Sequence, residues 1–170
     1  MRHTKHAMAT LTFKPKAVVK RLLAGLPERA RAIIVARYGL GDSPKRQTLE
    51  QIGKSYKITR ERVRQIENYV FSVIRKSDGY GKEKEAFVEL QKLIDQMGGV
   101  VPEQSFLTHI AGDESIRNHV HFLLILGDEF IRRKEDEDFS HRWYVVEKLV
   151  EKVESSLRKL YESLTDEELI

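Results

Sequence analysis

The chain has no cysteine among its 170 residues. This excludes disulfide bonds and thiolate metal sites, and it is typical of a protein of the reducing cytoplasm. Long apolar runs are missing too: the longest, residues 120–126, is interrupted by His121 and is far shorter than the roughly 20 residues that cross a bilayer. Residues 1–10 lack the apolar core of a secretion signal. The sequence therefore predicts a cytoplasmic protein without a membrane contact.

Signatures of catalysis and of cofactor binding are also missing. No glycine-rich phosphate loop follows a strand-like run, and the serines lack any local nucleophile signature. His119 and His121 point in different directions on a helix and have neither a cysteine nor HExxH-type spacing beside them. We predict that the protein is not an enzyme and that it holds no metal or cofactor. The two histidines are predicted to have a structural role or to lie on the surface.

What the chain does have is charge, distributed unevenly. Residues 1–78 carry 18 Lys and Arg against 6 Asp and Glu, a net charge of +12, whereas residues 79–170 carry 12 against 20, a net charge of −8. A basic half joined to an acidic half suits a protein that contacts phosphate with one end and another partner with the other. The alternative is that the two halves attract each other in one compact fold.

Two capped helical segments lie in the basic half. Thr48 and Thr59 are good N-caps because a threonine hydroxyl can accept a hydrogen bond from the first helical turn. The first helix contains Gly53, which permits a close approach of the second, and the second begins at Arg60. Its apolar residues recur at three- and four-residue spacing: Val63, Ile66, Val70, Val73 and Ile74. This pattern predicts a helix-turn-helix unit.

The other face of the second helix carries side chains that suit base edges. Arg can donate two hydrogen bonds to guanine, Gln can pair with adenine, and Glu can accept from cytosine. Helix-turn-helix proteins place such contacts near the start of the second helix. The predicted base-reading residues are Arg60, Glu61, Arg64 and Gln65, and the predicted phosphate contacts are Lys45, Arg46, Thr48, Lys54 and Arg62. The alternative is an ordinary helix pair with a solvated polar face.

Four linked motifs support the first interpretation. In chain order they are Leu26-Pro27-Glu28-Arg29, Arg37-Tyr38-Gly39-Leu40, the segment 48–53 and the segment 59–67. Their order and spacing resemble region four of primary bacterial sigma factors over residues 16–76. The resemblance implies that the second helix enters the major groove of the upstream promoter element, with the four base-reading residues in contact. It also implies docking on the flap of the RNA polymerase beta subunit.

The chain departs from that family in two respects. Past Glu67 the family usually continues with small and basic residues, whereas this chain has Tyr69 and Phe71, so we expect the far half of the helix to pack against a second domain. No segment resembling the aromatic-rich region that melts promoter DNA precedes the match. We therefore expect that the chain does not initiate transcription as a complete sigma factor.

The acidic half predicts a second module. After a linker at 77–82, three helical patterns precede two strand-like runs, 129–134 and 141–146, around an acidic turn. This order predicts a winged-helix-like domain at 83–146, and residues 82–146 weakly resemble the winged helix of the RNA polymerase delta subunit and of HARE-type domains. Four consecutive carboxylates, residues 135–138, repel phosphate. We expect protein docking; DNA contact through Arg117, Asn118, His119 and His121, or a structural role, are the alternatives.

Residues 147–170 predict an amphipathic C-terminal helix. A heptad seam runs through Val146, Val150, Val153, Leu157, Leu160 and Leu164. Two interpretations of this seam remain: the helix packs onto its own domain, or it mediates self-association through residues 146–164.

Together these patterns predict a mainly α fold with a basic N-terminal segment (1–15), a helix-turn-helix four-helix domain (16–76), a winged-helix-like domain with a small β-hairpin, and the long last helix. The predicted function is sequence-specific recognition of promoter-type double-stranded DNA by a transcriptional regulator that acts with RNA polymerase. The alternative is an interaction module that binds RNA polymerase or a sigma factor without reading DNA. The two differ in whether the face formed by Arg60 to Gln65 is exposed or covered.

Overall fold

The computed structural model describes residues 10–137, 140–145 and 147–168, the side chains of 147–153 and 165–168 excepted. The basic half forms α1 (Pro15–Leu23), α2 (Glu28–Tyr38), α3 (Leu49–Tyr56) and α4 (Arg60–Arg75). The acidic half follows with α5 (Asp78–Lys82), α6 (Lys84–Gln96), β1 (Val100–Pro102), α7 (Glu103–Ile110), α8 (Glu114–Leu126), β2 (Ile131–Arg133), β3 (Arg142–Tyr144) and α9 (Glu147–Glu168). The predicted mainly helical fold class is confirmed.

Local signals set the helix ends in the places that the sequence indicated. The hydroxyl of Thr48 accepts a hydrogen bond from the amide of Gln51, whose side chain in turn accepts one from the amide of Thr48, so that α3 begins with a complete capping box. Asp113 caps α8 by accepting from the amide of Ile116 at 3.1 Å. At the end of α2, Gly39 adopts a left-handed conformation with φ of 64° that glycine tolerates well.

Two details of the acidic half differ from the prediction. Segment 77–82, expected to be a linker, contains the short helix α5, because the hydroxyl of Ser77 caps its first turn. The expected hairpin is present as β2 and β3, and an unpredicted third strand, β1, extends it to an antiparallel sheet in the order β1-β3-β2, in which Val101 pairs with Trp143. Strand β1 is only three residues long and ends at a proline, so it lacks the alternation by which a strand is recognised.

The apolar core is continuous across the two halves. One cluster of buried side chains extends from α1 and α2, through the far half of α4, to α6, α7, α8 and β3. At its centre Phe122 of α8 lies 5.3 Å from the ring of Tyr38 and 5.9 Å from the ring of Phe71, measured between ring centroids. The expectation that α4 packs against the acidic half is thus confirmed for Phe71. It is wrong for Tyr69, which is 56% exposed because it lies on the opposite side of the helix.

Helix α9 is attached to the sheet through its Glu154, whose carboxylate accepts a 2.7 Å hydrogen bond from Arg142. Farther along, the heptad residues Leu157, Leu160 and Leu164 are each about half exposed. The first three seam residues, Val146, Val150 and Val153, lie outside the described side chains. In the described part of the chain no helix is both long enough and apolar enough to cross a membrane.

Candidate nucleic-acid interface

Helices α3 and α4 form a compact helix-turn-helix unit. Their contact is tight at Gly53, where a Cβ atom would lie only 2.7 Å from the backbone oxygen of Ile58. A small apolar cluster of Ile33, Ile52 and Val63, all fully buried, joins α2, α3 and α4. The close approach that was expected of Gly53 is therefore confirmed, and the second helix has a fixed orientation on the first two.

Helix α4 begins at Arg60, as predicted, because the hydroxyl of Thr59 accepts a hydrogen bond from the amide of Arg62 at 3.1 Å. Val63, Val70 and Ile74 face the interior. The four predicted base-reading residues, Arg60, Glu61, Arg64 and Gln65, are all exposed. The structure therefore brings them together on one outward surface, which we call the reading face.

Two contacts order the reading face. Arg64 binds Glu61 through Nη2 to Oε1 at 2.5 Å and through Nε to Oε2 at 3.0 Å. The hydrogen bonds with Arg64 lower the pKa of the Glu61 carboxyl. Arg62 donates from Nη1 to the side-chain oxygen of Gln65 at 3.2 Å. Exposed pairs of this kind contribute little free energy, so these side chains can exchange their partners for base edges or phosphates.

The predicted phosphate contacts occupy different environments. Lys45 is exposed in the loop before α3, and Lys54 is exposed on α3, with its ammonium 3.8 Å from Glu50. The hydroxyl of Thr48 is already used as the α3 cap. Arg46 differs most, because its Nε donates a 3.0 Å hydrogen bond to Asn118 of α8 and burial lowers the pKa of its guanidinium. The amino-acid sequence gives no sign of this contact between Arg46 and α8, which depends on the tertiary structure.

Three of the four polar residues of α8 that were considered for DNA contact are buried. Asn118, His119 and His121 are each no more than 5% exposed. Asn118 Nδ2 donates to the backbone oxygens of Pro44 at 2.7 Å and Gly39 at 3.2 Å. His119 contacts a backbone carbonyl within its own helix, and His121 Nε2 lies 2.8 Å from Glu103. The structural role predicted for the two histidines is confirmed, and burial contradicts DNA contact through Asn118, His119 and His121. The fourth residue considered, Arg117, is half-buried and donates to the backbone oxygens of Ala111 and Gly112.

A buried polar contact that the sequence did not single out fixes α4 to α2. Glu67 is only 9% exposed, and its carboxylate accepts a hydrogen bond from the hydroxyl of Tyr38. Burial, together with the nearby Glu67 charge, raises the pKa of Tyr38. Arg37 Nε lies 3.7 Å from the same carboxylate. Because Glu67 lies between the buried side of α4 and the reading face, one turn after Arg64, this contact helps to fix the direction in which that face points.

The sequence comparisons address the same part of the chain. Residues 22–76 match the family described as sigma-70, region 4. This segment, about a third of the chain, is similar to the helix-turn-helix region of that family. The predicted resemblance is confirmed here, and the matched segment contains α2, α3 and α4 together with only the last two residues of α1.

Curated relatives match the same segment. The RNA polymerase sigma factor RpoD of Helicobacter pylori is 46% identical over 67 residues, which are 39% of this chain and 10% of that protein. RpoS of Coxiella burnetii is 49% identical over 49 residues, 29% of this chain and 14% of the relative. The principal sigma factor HrdD of Streptomyces viridifaciens is 37% identical over 68 residues, 40% of this chain and 20% of the relative. The matches thus span a fifth or less of each relative.

Proposed function

We propose that the chain is a sequence-specific DNA-binding transcriptional regulator that recognises promoter-type duplex DNA through α4 and acts with RNA polymerase in the cytoplasm. The observation that carries this proposal is the exposed reading face on a region 4 segment. Had the acidic half covered Arg60 to Gln65, the rival interaction module would have been favoured. Instead the acidic half packs on α1, α2 and the far half of α4.

In this mechanism the first two turns of α4 enter the major groove. Arg60 and Arg64 donate to guanine, Gln65 pairs with adenine, and Glu61 either accepts from cytosine or keeps Arg64 in place. Lys45, Lys54 and Arg62 contact the phosphates on either side, as does Arg46 once it exchanges its contact with Asn118. The hydroxyl of Thr48 and the start of α3 add a further phosphate contact.

The acidic half supplies a rigid support and a surface for protein contact. Its net charge of −8 opposes binding to the phosphate backbone, so we assign DNA affinity to the basic half. We further propose that RNA polymerase is the protein partner, since the curated relatives of the region 4 segment are named as RNA polymerase sigma factors.

The test is selection of a preferred site from random duplexes by the full chain, followed by binding of variants to that site and to its single-base variants. Arg60→Ala and Gln65→Ala should each lose about 1–3 kcal/mol of discrimination at one or two positions, because each removes a paired contact to a base edge. Non-specific affinity should change less.

Matched controls are Arg31→Ala on α2 and Gln104→Ala on α7, which remove the same side-chain types away from the reading face. Both should keep the wild-type order of preference. If no sequence is selected while the chain still binds RNA polymerase, the interaction module is the correct function.

A further inference from the structure

A cavity of about 460 Å³ lies where α2 and α4 meet α8 and β3. We call it the junction cavity. Three arginines line it, Arg37 from α2, Arg46 from the loop before α3, and Arg132 from β2. Trp143 of β3 also lines it. None of the four base-reading residues takes part, so the cavity is distinct from the reading face.

The positive charge of this site exceeds the negative charge beside it. Glu67 lines the cavity, but its carboxylate already accepts from the Tyr38 hydroxyl. Glu103 accepts a 2.7 Å hydrogen bond from Arg132 and contacts His121. Arg46 has the neutral side chain of Asn118 as its hydrogen-bond partner. The three guanidinium groups therefore carry more charge than the two carboxylates, which are already engaged; Arg37 is half-buried, whereas Arg46 and Arg132 are exposed.

Some buried nitrogens of the residues that line the cavity lack an acceptor, Arg37 Nε and the indole nitrogen of Trp143 among them. Among the residues that the structure describes, no acceptor is within hydrogen-bond geometry of Arg37 Nε or of the indole nitrogen of Trp143. Glu67, at 3.7 Å, is too far from Arg37 Nε for a hydrogen bond. Trp143 is only 2% exposed. A buried donor without a partner costs about 1–3 kcal/mol.

We propose that the junction cavity binds a small organic anion through a phosphate or carboxylate group held by Arg37, Arg46 and Arg132. Planar guanidinium groups bind either oxyanion with paired hydrogen bonds. The volume lies within the range of about 300–1,000 Å³ typical of small-molecule sites. The site shares Arg46 with the proposed phosphate contacts but none of the base-reading residues, and anion binding does not depend on the proposed function.

Trp143 is the single tryptophan of the chain, so its fluorescence reports on the cavity directly. The full chain is titrated with adenosine monophosphate and, separately, with citrate, at an ionic strength held constant with sodium chloride. We expect a saturable change in Trp143 emission and a rise in the melting temperature with at least one probe. A response to the nucleotide alone identifies a phosphate ligand, and a response to citrate alone identifies a carboxylate ligand.

Variants locate the site. Arg37→Gln should weaken binding by about tenfold or more, since it removes a charged donor to the anion. Arg31→Gln on the same helix loses the same charge outside the cavity and should bind as the wild type does. Arg60→Ala should also bind as the wild type does, which separates this site from the reading face.

If circular dichroism shows that Arg37→Gln is unfolded, Arg46→Gln takes its place, because glutamine can still donate to Asn118. The absence of a saturable response to either probe would overturn the proposal. So would equal affinities of the cavity variant and Arg31→Gln, which would mean that the anion binds elsewhere.

Discussion

Asn118 donates a hydrogen bond to the backbone oxygen of Pro44 at 2.7 Å, joining two residues 74 positions apart in the chain. The same amide nitrogen reaches the oxygen of Gly39, and the side-chain oxygen accepts from Arg46. One buried side chain thus holds the loop before the helix-turn-helix unit against the central helix of the acidic half.

We expect Asn118→Ala to lower the free energy of unfolding by about 1–3 kcal/mol, because it leaves buried backbone oxygens without a donor. Urea denaturation of the full chain measures this. Asn68→Ala, at an exposed position of α4, is the control and should stay within about 0.5 kcal/mol of the wild type. Equal midpoints for the two variants would show that the Asn118 contact does not stabilise the fold.

The turn of the helix-turn-helix unit requires a glycine at position 53, where there is no room for a side chain. Gly53→Ala places a Cβ atom 2.7 Å from the backbone oxygen of Ile58, which cannot move without shifting α4. We expect a loss of about 1–3 kcal/mol in the free energy of unfolding and weaker DNA binding. Gly25→Ala is the matched control, since nothing lies within 4 Å of a Cβ atom there. A Gly53→Ala protein as stable as Gly25→Ala would contradict the close approach.

Glu103 should make stability depend on pH in the acid range. Burial alone would raise the pKa of its carboxyl, but the hydrogen bonds from His121 and Arg132 outweigh burial and lower this pKa to about 2. Because the pKa is lower in the folded state, the resulting stability is complete above the usual value of 4.5 and is lost as the pH falls toward 2.

Glu103→Gln should therefore be less stable than the wild type at neutral pH, by up to roughly 3 kcal/mol, and should show a smaller change in stability between pH 4.5 and 2. Urea midpoints measured across this range provide the test. The exposed Glu50→Gln is the control. Parallel pH profiles of Glu103→Gln and the wild type would argue against the assigned ion pairs.

Phosphate contacts should appear in the salt dependence of DNA binding. Lys45→Ala and Lys54→Ala should each weaken binding to all sequences alike and reduce the slope of log K against log salt by about one, because each releases one fewer counterion. Lys92→Ala in α6 removes the same charge from the acidic half and should leave the slope unchanged. A change of base preference in Lys54→Ala, with the preference intact in Arg60→Ala, would place the reading face elsewhere.

Local patterns in the sequence were sufficient to predict the helix-turn-helix unit and the types of side chain on its outer face. The caps at Thr48 and Thr59, the glycine at 53 and the apolar spacing from Val63 act within a few residues of one another. Such short-range signals appear directly in the amino-acid order. The charge difference between the halves and the mainly helical fold class could also be obtained from the sequence alone.

The tertiary structure decided how the two halves meet. The polar residues of α8 look like a second reading helix in the sequence, yet Asn118 and His121 are buried against the first half and against Glu103. Contacts between residues far apart in the chain likewise produce the hydrogen bond from Arg46 to Asn118, the pairing of strand β1 and the junction cavity. Neither periodicity nor spacing records such contacts, because they arise only when distant apolar faces pack into a shared core.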